Sequence, residues 1–179
     1  MQGWTQRLGA LGKVVSFDYT YMREGRRAPD RLPKLLTTHG EALNAARKGH
    51  RGPVFLMGKS MGSRVGCHLS LELDKPVSGL ICMGYPLMGM GKKAAVRDQV
   101  LLDLNTPILF VQGTRDRLCP LEKLDAVRKK MSAENELRIV ETGDHSLQVT
   151  KTYLKQREMT QEDVDQSVLE SIDAFVKAR

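Results

Sequence analysis

Five short runs of mainly apolar residues recur along the chain, separated by segments in which apolar side chains follow helical spacing. The runs cover residues 13–19, 53–57, 77–83, 107–112 and 136–141. Most of them are apolar at nearly every position, as in strands that are covered on both faces of a parallel sheet. Strands that alternate with helices predict an α/β fold, a mostly parallel sheet with helices on both faces.

Several helix boundaries are indicated by the sequence. A stripe through Leu32 and Leu43 predicts a helix in which Asp30 is expected to be the N-cap. Thr160 and Asp163 have the spacing of a capping box, so the last helix is expected to begin there.

Length and composition limit the class of protein. The chain has 179 residues, of which 41% are hydrophobic and 27% charged, so one globular domain over residues 1–179 is expected. No apolar run approaches the ~18 residues of a membrane span, and no secretory signal is visible. The three cysteines, which are far apart, predict neither a disulfide framework nor a zinc site. We therefore expect a protein of a reducing compartment, the cytoplasm by default, with no zinc site and no membrane span.

The positive charge lies mainly in the first third of the chain. Residues 1–52 hold ten Lys and Arg against four Asp and Glu, and the net charge of the chain is +7. Arg23, Arg26, Arg27 and Arg31 form the tightest cluster, which is either a solvated loop or a docking surface for an acidic substrate or partner. Arg26 and Arg27 are the candidate binding residues. Nucleic acid is not favoured, because no aromatic platform or known binding module accompanies the cluster.

The sharpest motif is G-x-S-x-G at residues 58–62, which follows an apolar run and precedes a helical segment. Glycines on both sides of Ser60 permit a sharp turn that exposes the serine at the edge of a sheet. The amide of Met61 and the positive end of the following helix would favour a developing oxyanion. A phosphate-binding loop is excluded, since it needs a glycine at position 53, which is proline.

Two further residues follow later runs at the same edge of the predicted sheet. Asp116 comes after the fourth run and His145 after the fifth, and the order serine, acid, histidine is that of a serine-hydrolase triad. Asp18 and Asp144 are weaker candidates for the acid. The remaining histidines are expected to be structural or surface residues: His39, His50 and His68.

These motifs resemble the α/β-hydrolase superfamily over nearly the whole chain. The segments FDY at 17–19, GRRAP at 25–29, GKSMGSR at 58–64, GTRD at 113–116 and GDHS at 143–146 are similar to the group with testis-expressed protein 30 and the third subunit of the NSL histone acetyltransferase complex. The resemblance implies a triad of Ser60, Asp116 and His145 and no cofactor. Because one member of the group is a chromatin-complex subunit, it supports an enzyme and an interaction protein alike.

The chain departs from this family at its start. Family members carry earlier strands, one of which lies between the strands expected here at 13–19 and 53–57, and a His-Gly-rich loop that supplies an oxyanion-hole amide. Without that strand its two neighbours either pair directly or leave a gap with unpaired backbone groups. Such a chain is expected to be less stable and less active than a form with the additional segment. Residues 82–91, rich in glycine and methionine, form either a substrate-contacting flap or a plain connecting loop.

The first expectation is a serine hydrolase that cleaves an ester, thioester or amide in a small-molecule or peptide substrate. Ser60 would attack the carbonyl, His145 would transfer the proton, Asp116 would orient the histidine and the Met61 amide would hold the oxyanion. The alternative is a non-catalytic interaction protein on a hydrolase fold, such as a subunit of a nuclear or chromatin complex, because fold alone does not decide function.

Overall fold

The computed structural model describes residues 2–89 and 95–179, and within them four strands form one sheet. The strands are β1 (Phe55–Lys59), β2 (Gly79–Met83), β3 (Ile108–Gly113) and β4 (Asn135–Val140). All neighbouring strands are parallel, and their order across the sheet is their order in the chain. The last four predicted runs are therefore confirmed as strands, with ends within two residues of the predicted ones.

Helices occupy most of the segments between the strands. In the described residues they are α1 (Gln2–Leu8), α2 (Thr20–Arg23), α3 (Leu32–Arg47), α4 (Met61–Leu71), α5 (Gln99–Leu102), α6 (Leu121–Arg128), α7 (Lys151–Gln156) and α8 (Gln161–Lys177). None of the helices described is long and apolar enough to cross a membrane.

The two central strands send alternate side chains into two separate apolar layers. Leu80 of β2 and Phe110 of β3 pack in one layer with residues from α3, α4, α5 and α6. Ile81 and Val111 pack in the opposite layer with residues from α1 and α8. Helices therefore cover both faces of the sheet, which confirms the α/β architecture and explains why both strands are apolar at nearly every position.

The prediction of a strand at residues 13–19 is wrong. Within residues 2–89 and 95–179, this segment forms no strand and β1 pairs with β2 alone. A groove of about 410 Å³ separates the segment from β1, and its walls include Val14, Phe17, Phe55 and Met57. A β-branched run becomes a strand only when a neighbouring backbone accepts and donates its hydrogen bonds. The sequence analysis allowed either direct pairing of the two neighbouring strands or a gap between them, and the structure shows the gap.

One predicted helix cap is present and the other is not. Thr160 and Asp163 form the capping box of α8, as predicted. The prediction that Asp30 caps α3 is wrong, because Arg31 is the N-cap and makes no side-chain cap bond. The Asp30 carboxylate instead accepts a hydrogen bond from the Tyr21 amide and pairs with Arg26.

The segment expected to be a flap or a connecting loop lies partly outside the described residues, since Met90 and Gly91 are not among them. In the part described, Tyr85 and Leu87 are fully buried. The Met88 amide donates to the Leu118 carbonyl at 2.7 Å. The described residues 84–89 therefore belong to a packed connection and not to a free flap.

Candidate active site

Ser60 stands between the end of β1 and the start of α4. Its backbone has φ 52° and ψ −121°, a strained conformation for a residue with a side chain. Its amide donates to the Met83 carbonyl at the end of β2, at 2.9 Å. The strand–serine–helix turn predicted from G-x-S-x-G is therefore present, with the serine at the carboxyl edge of the sheet.

Gly58 permits this turn by close backbone approach. A Cβ atom at this position would lie 2.3 Å from the Gly62 carbonyl carbon and from the Ser63 nitrogen. These are backbone atoms of the first turn of α4, so no side-chain rotation would relieve the contact. A glycine at position 58 therefore lets the helix start directly against β1.

The structure brings Ser60, His145 and Asp116 into one hydrogen-bonded chain. His145 Nε2 lies 2.8 Å from Ser60 Oγ, and His145 Nδ1 lies 2.8 Å from Asp116 Oδ2. An ionised carboxylate only accepts, so Nδ1 carries the proton of the neutral ring and Nε2 accepts from the serine hydroxyl. This tautomer is the one in which the ring can take a proton from Ser60.

The environment of Asp116 keeps its carboxylate ionised although the side chain is fully buried. Burial alone raises the pKa of this group. Hydrogen bonds from His145, from the Leu118 amide and from the Gln112 amide outweigh burial and hold the pKa of Asp116 below its ordinary value. A negative charge is therefore retained next to the imidazole at neutral pH.

The two weaker acid candidates are placed elsewhere. The Asp144 carboxylate accepts from the Ser146 and Gln148 amides and so closes the turn that carries His145. Asp18 is exposed in the segment before α2.

The oxyanion candidate, Met61, is the first residue of α4. The first amides of a helix have no partner within the helix, and they lie at the positive end of its dipole. The half-buried Met61 side chain packs against the cluster that contains Tyr19, Leu35 and Val65. The Met61 amide therefore adjoins Ser60 on an anchored helix terminus.

The two candidate binding arginines differ. The Arg26 guanidinium bonds to Glu24 and to Asp30, each at 2.7 Å, so much of its charge is compensated locally. Arg27 is exposed, and no ion pair of its side chain occurs among the described residues. The Arg23–Arg31 loop is attached to the site through Tyr21 and Leu32, which pack with Met61 in one cluster.

Of the remaining histidines, His39 is buried and the others are half-buried or exposed. The His39 ring lies 3.3 Å from the Tyr19 hydroxyl, and burial lowers the pKa of His39 to about 4. No group of three or more potential metal ligands was found among residues 2–89 and 95–179.

One buried polar residue of the site was missed by the sequence analysis. Gln112 is fully buried on β3 and donates to Asp116 Oδ2. The available signal was a single amide side chain in the otherwise apolar run Ile-Leu-Phe-Val-Gln at 108–112. Buried polar groups need partners, so such an exception indicates a nearby polar site.

A family model described as an alpha/beta hydrolase domain matches residues 1–177. The chain belongs to the α/β-hydrolase family. Among solved structures, this α/β hydrolase is similar to one from a study of LipS and LipT, two metagenome-derived lipolytic enzymes. The sequence identity is 14% and the TM-score is 0.66. The match covers 100% of this chain and 88% of the other.

Two further structures have the same fold. An α/β serine hydrolase homologue from Coxiella burnetii has 16% identity and a TM-score of 0.62, over 98% of this chain and 73% of the other. Est1E from Butyrivibrio proteoclasticus, solved with ferulic acid bound, has 17% identity and a TM-score of 0.55, over 80% and 70%. At these identities the likeness establishes the α/β-hydrolase fold alone, and this chain is shorter than each of the three.

Proposed function

We propose that the chain is a serine hydrolase that cleaves an ester, thioester or amide bond, with residues 1–179 acting as one domain. The observation that carries this proposal is the continuous hydrogen-bonded chain from Ser60 through His145 to Asp116, with 2.8 Å at both steps. A nucleophile, a base and an orienting acid within hydrogen-bond reach are what acyl transfer requires.

The proposed reaction begins when Ser60 Oγ attacks the substrate carbonyl and its proton passes to His145 Nε2. The Met61 amide donates to the oxygen that becomes negative. The tetrahedral intermediate collapses when His145 returns the proton to the leaving group, which leaves an acyl group on Ser60. Water then attacks this ester with His145 as base, and the acid product and free Ser60 are released. Asp116 holds the imidazole and stabilises its charged form throughout.

The narrower assignments are also proposals. The segments GRRAP at 25–29 and GKSMGSR at 58–64 support membership of the group with testis-expressed protein 30 and the third NSL subunit. A cytoplasmic or nuclear location is proposed as well, because three cysteines, an odd number with no C-x-x-C pair, do not favour a disulfide framework. The residue set of the site calls for no metal or cofactor in this mechanism.

The decisive experiment is labelling of the purified chain by a fluorophosphonate probe, which reacts with an activated serine. Wild type is expected to be labelled, and Ser60→Ala to lose labelling while its circular dichroism spectrum is unchanged. Ser70→Ala is the matched control, because Ser70 is a half-buried serine at the other end of the same helix. Equal labelling of wild type and Ser60→Ala would contradict the proposed nucleophile, and a folded wild type without labelling would contradict a hydrolase.

A second candidate function is binding of an acidic ligand or protein partner through the Arg23–Arg31 loop. Exposed Arg27, with no ion pair among the described residues, favours it. Arg27→Gln is expected to weaken binding of a polyglutamate peptide more than Arg51→Gln, which removes the same charge at an exposed position before β1. Arg26→Gln is expected to have the smaller effect, because Arg26 is already paired. Equal effects of the three substitutions would exclude a specific surface.

A further inference from the structure

We infer that Gln112 is a positioning residue that fixes the Asp116 carboxylate towards His145 and ties it to the loop after β2. This inference rests on the proposed function, whose acid it concerns. The side chain of Gln112 makes two hydrogen bonds from a fully buried place on β3. Each bond reaches a segment that contacts His145.

The first bond joins Gln112 to the acid. Its Nε2 donates to Asp116 Oδ2 at 2.5 Å, and the same oxygen accepts from His145 Nδ1 at 2.8 Å. The other oxygen of Asp116 accepts from the Leu118 amide at 2.8 Å. Three donors therefore determine the plane of the carboxylate, and two of them converge on the oxygen that faces the histidine.

The second bond joins Gln112 to the connection after β2. Its Oε1 accepts from the Tyr85 amide at 3.0 Å. Tyr85 follows Gly84, where φ is 56° and a Cβ atom would lie 2.5 Å from the His145 carbonyl oxygen. The Gly84 backbone thus packs directly against His145, and Gln112 holds that backbone in place.

The chemistry of the two partners fixes the orientation of the amide. A backbone N–H only donates, so the side-chain oxygen must face Tyr85, and the carboxylate only accepts, so the side-chain nitrogen must face Asp116. Glutamate at this position would keep the acceptor for the Tyr85 amide, but it would lose the donor to Asp116 and place a second carboxyl group beside it. A residue with one donor and one acceptor is required, which is what glutamine supplies.

Few other ionisable groups surround Asp116. The buried Cys119 thiol lies close by, and its pKa is raised to about 12 by burial and by the charge of Asp116. Arg115 and Arg117 flank Asp116 in the chain and are exposed, and the Asp144 carboxylate is bonded to backbone amides. Removal of the Gln112 donor would thus leave His145 and the Leu118 amide to compensate the charge of Asp116.

The test compares Gln112→Met, which keeps the volume and loses both bonds, with Gln112→Glu, which keeps the acceptor for Tyr85 and loses the donor to Asp116. The matched control is Thr38→Val, which removes an equally local hydrogen bond from a buried residue remote from Asp116. Two readouts are used: the pH dependence of fluorophosphonate labelling, and the NMR resonance of the His145 Nδ1 proton, which requires no activity.

With one donor fewer, Asp116 binds a proton more strongly and stabilises imidazolium more. In Gln112→Met the pH of half-maximal labelling is therefore expected to rise by about half a unit to one unit. The plateau rate is expected to fall about tenfold or more, because the imidazole is less well oriented. The Nδ1 proton resonance is expected to move. Gln112→Glu is expected to show a larger rise in the pH of half-maximal labelling, and Thr38→Val none.

A different pattern would overturn the inference. If Gln112→Glu kept the wild-type pH dependence and resonance while Gln112→Met only melted at lower temperature, Gln112 would serve the Tyr85 connection alone. If Gln112→Met does not fold, Gln112→Glu decides by itself. If the wild type is not labelled but its Nδ1 resonance moves in the variants, the proposed function fails and the positioning role stands.

Discussion

The two glycines of the G-x-S-x-G motif are expected to respond in opposite directions to alanine. At Gly58 the new Cβ would lie 2.3 Å from backbone atoms of Gly62 and Ser63, well inside van der Waals contact. Either β1 or the start of α4 must move, and overpacking of this kind costs about 1–3 kcal/mol. Because the atoms in the way belong to the backbone, we expect Gly58→Ala to lower the free energy of unfolding by about 2–3 kcal/mol, the upper end of this range.

Gly62→Ala is the matched substitution in the same motif. In the part of the chain that the structure describes, a Cβ atom at Gly62 would meet no neighbour within 4 Å outside its own helix, and the residue lies in the first turn of α4. Alanine restricts the unfolded chain and favours the helix, which stabilises helical sites by about 0.5–1 kcal/mol. In a chain of this size 1 kcal/mol shifts the melting temperature by about 2–4 °C. Gly58→Ala is therefore expected to lower Tm by about 4–12 °C, and Gly62→Ala to raise it by about 1–4 °C.

Urea unfolding and thermal melting measure these changes, and fluorophosphonate labelling below the melting temperature measures the site. Gly58→Ala is expected to label at least tenfold more slowly, because a displaced α4 moves Ser60 and the Met61 amide together. If Gly58→Ala were as stable as wild type, or if both variants lost the same stability, the argument from backbone contact at Gly58 would be refuted.

Three further predictions concern titratable groups. Asp116→Asn is expected to slow labelling by about 10³–10⁴-fold, because an amide no longer fixes the tautomer of His145 or its charge; an effect below tenfold would remove Asp116 from the mechanism. Burial lowers the pKa of His39 to about 4 in the folded chain. Between about pH 6.5 and pH 4 the histidine is therefore protonated in the unfolded chain but not in the folded one. The stability that is present above pH 6.5 is lost as the pH falls through this range. Urea unfolding is expected to show that the free energy of unfolding falls from pH 7 to pH 4 by about 2–3 kcal/mol less in His39→Gln than in wild type. Equal decreases in the two proteins would contradict this prediction. The three buried cysteines, with burial raising the pKa of Cys82, are expected to react with a thiol reagent only after unfolding, and rapid reaction of the native chain would contradict their burial.

The sequence predicts those parts of the fold that depend on local pattern. The strands β2 and β3 could be predicted because both of their faces are covered, and strands covered on both faces are apolar at nearly every position. The capping box at Thr160 and Asp163 was also predictable, since both partners lie within four residues. The order of Ser60, Asp116 and His145 was sufficient to expect them at one edge, because parallel strands share their carboxyl ends.

The failures concern competition between distant partners. Residues 13–19 have the composition of a strand, but a strand must pair with a neighbouring edge, and a groove separates this segment from β1. Asp30 has the position of a cap, but the Tyr21 amide and Arg26 take its carboxylate instead. Gln112 was overlooked because its partners, Tyr85 and Asp116, are set by the register of β2 and β3 and not by spacing. In each case the sequence shows which residues can form hydrogen bonds, but only the tertiary structure determines which partners they bond to.

The groove between residues 13–19 and β1 does not interrupt the backbone hydrogen bonds that align the candidate site. The parallel hydrogen-bond ladder continues for one residue beyond the carboxyl ends of the strands. The Ser60 amide donates to a carbonyl at the end of β2 at 2.9 Å, and the Gly84 amide donates to a carbonyl of β3 at 2.9 Å. The Thr114 amide donates to the carbonyl at the end of β4 at 3.1 Å. These bonds fix the starting points of the loops that carry the serine, the acid and the histidine. Among the described residues β1 pairs with β2 alone, so its open edge lies on the side of the strand away from these bonds. We therefore expect the alignment of Ser60 with His145 to be independent of that edge of the sheet.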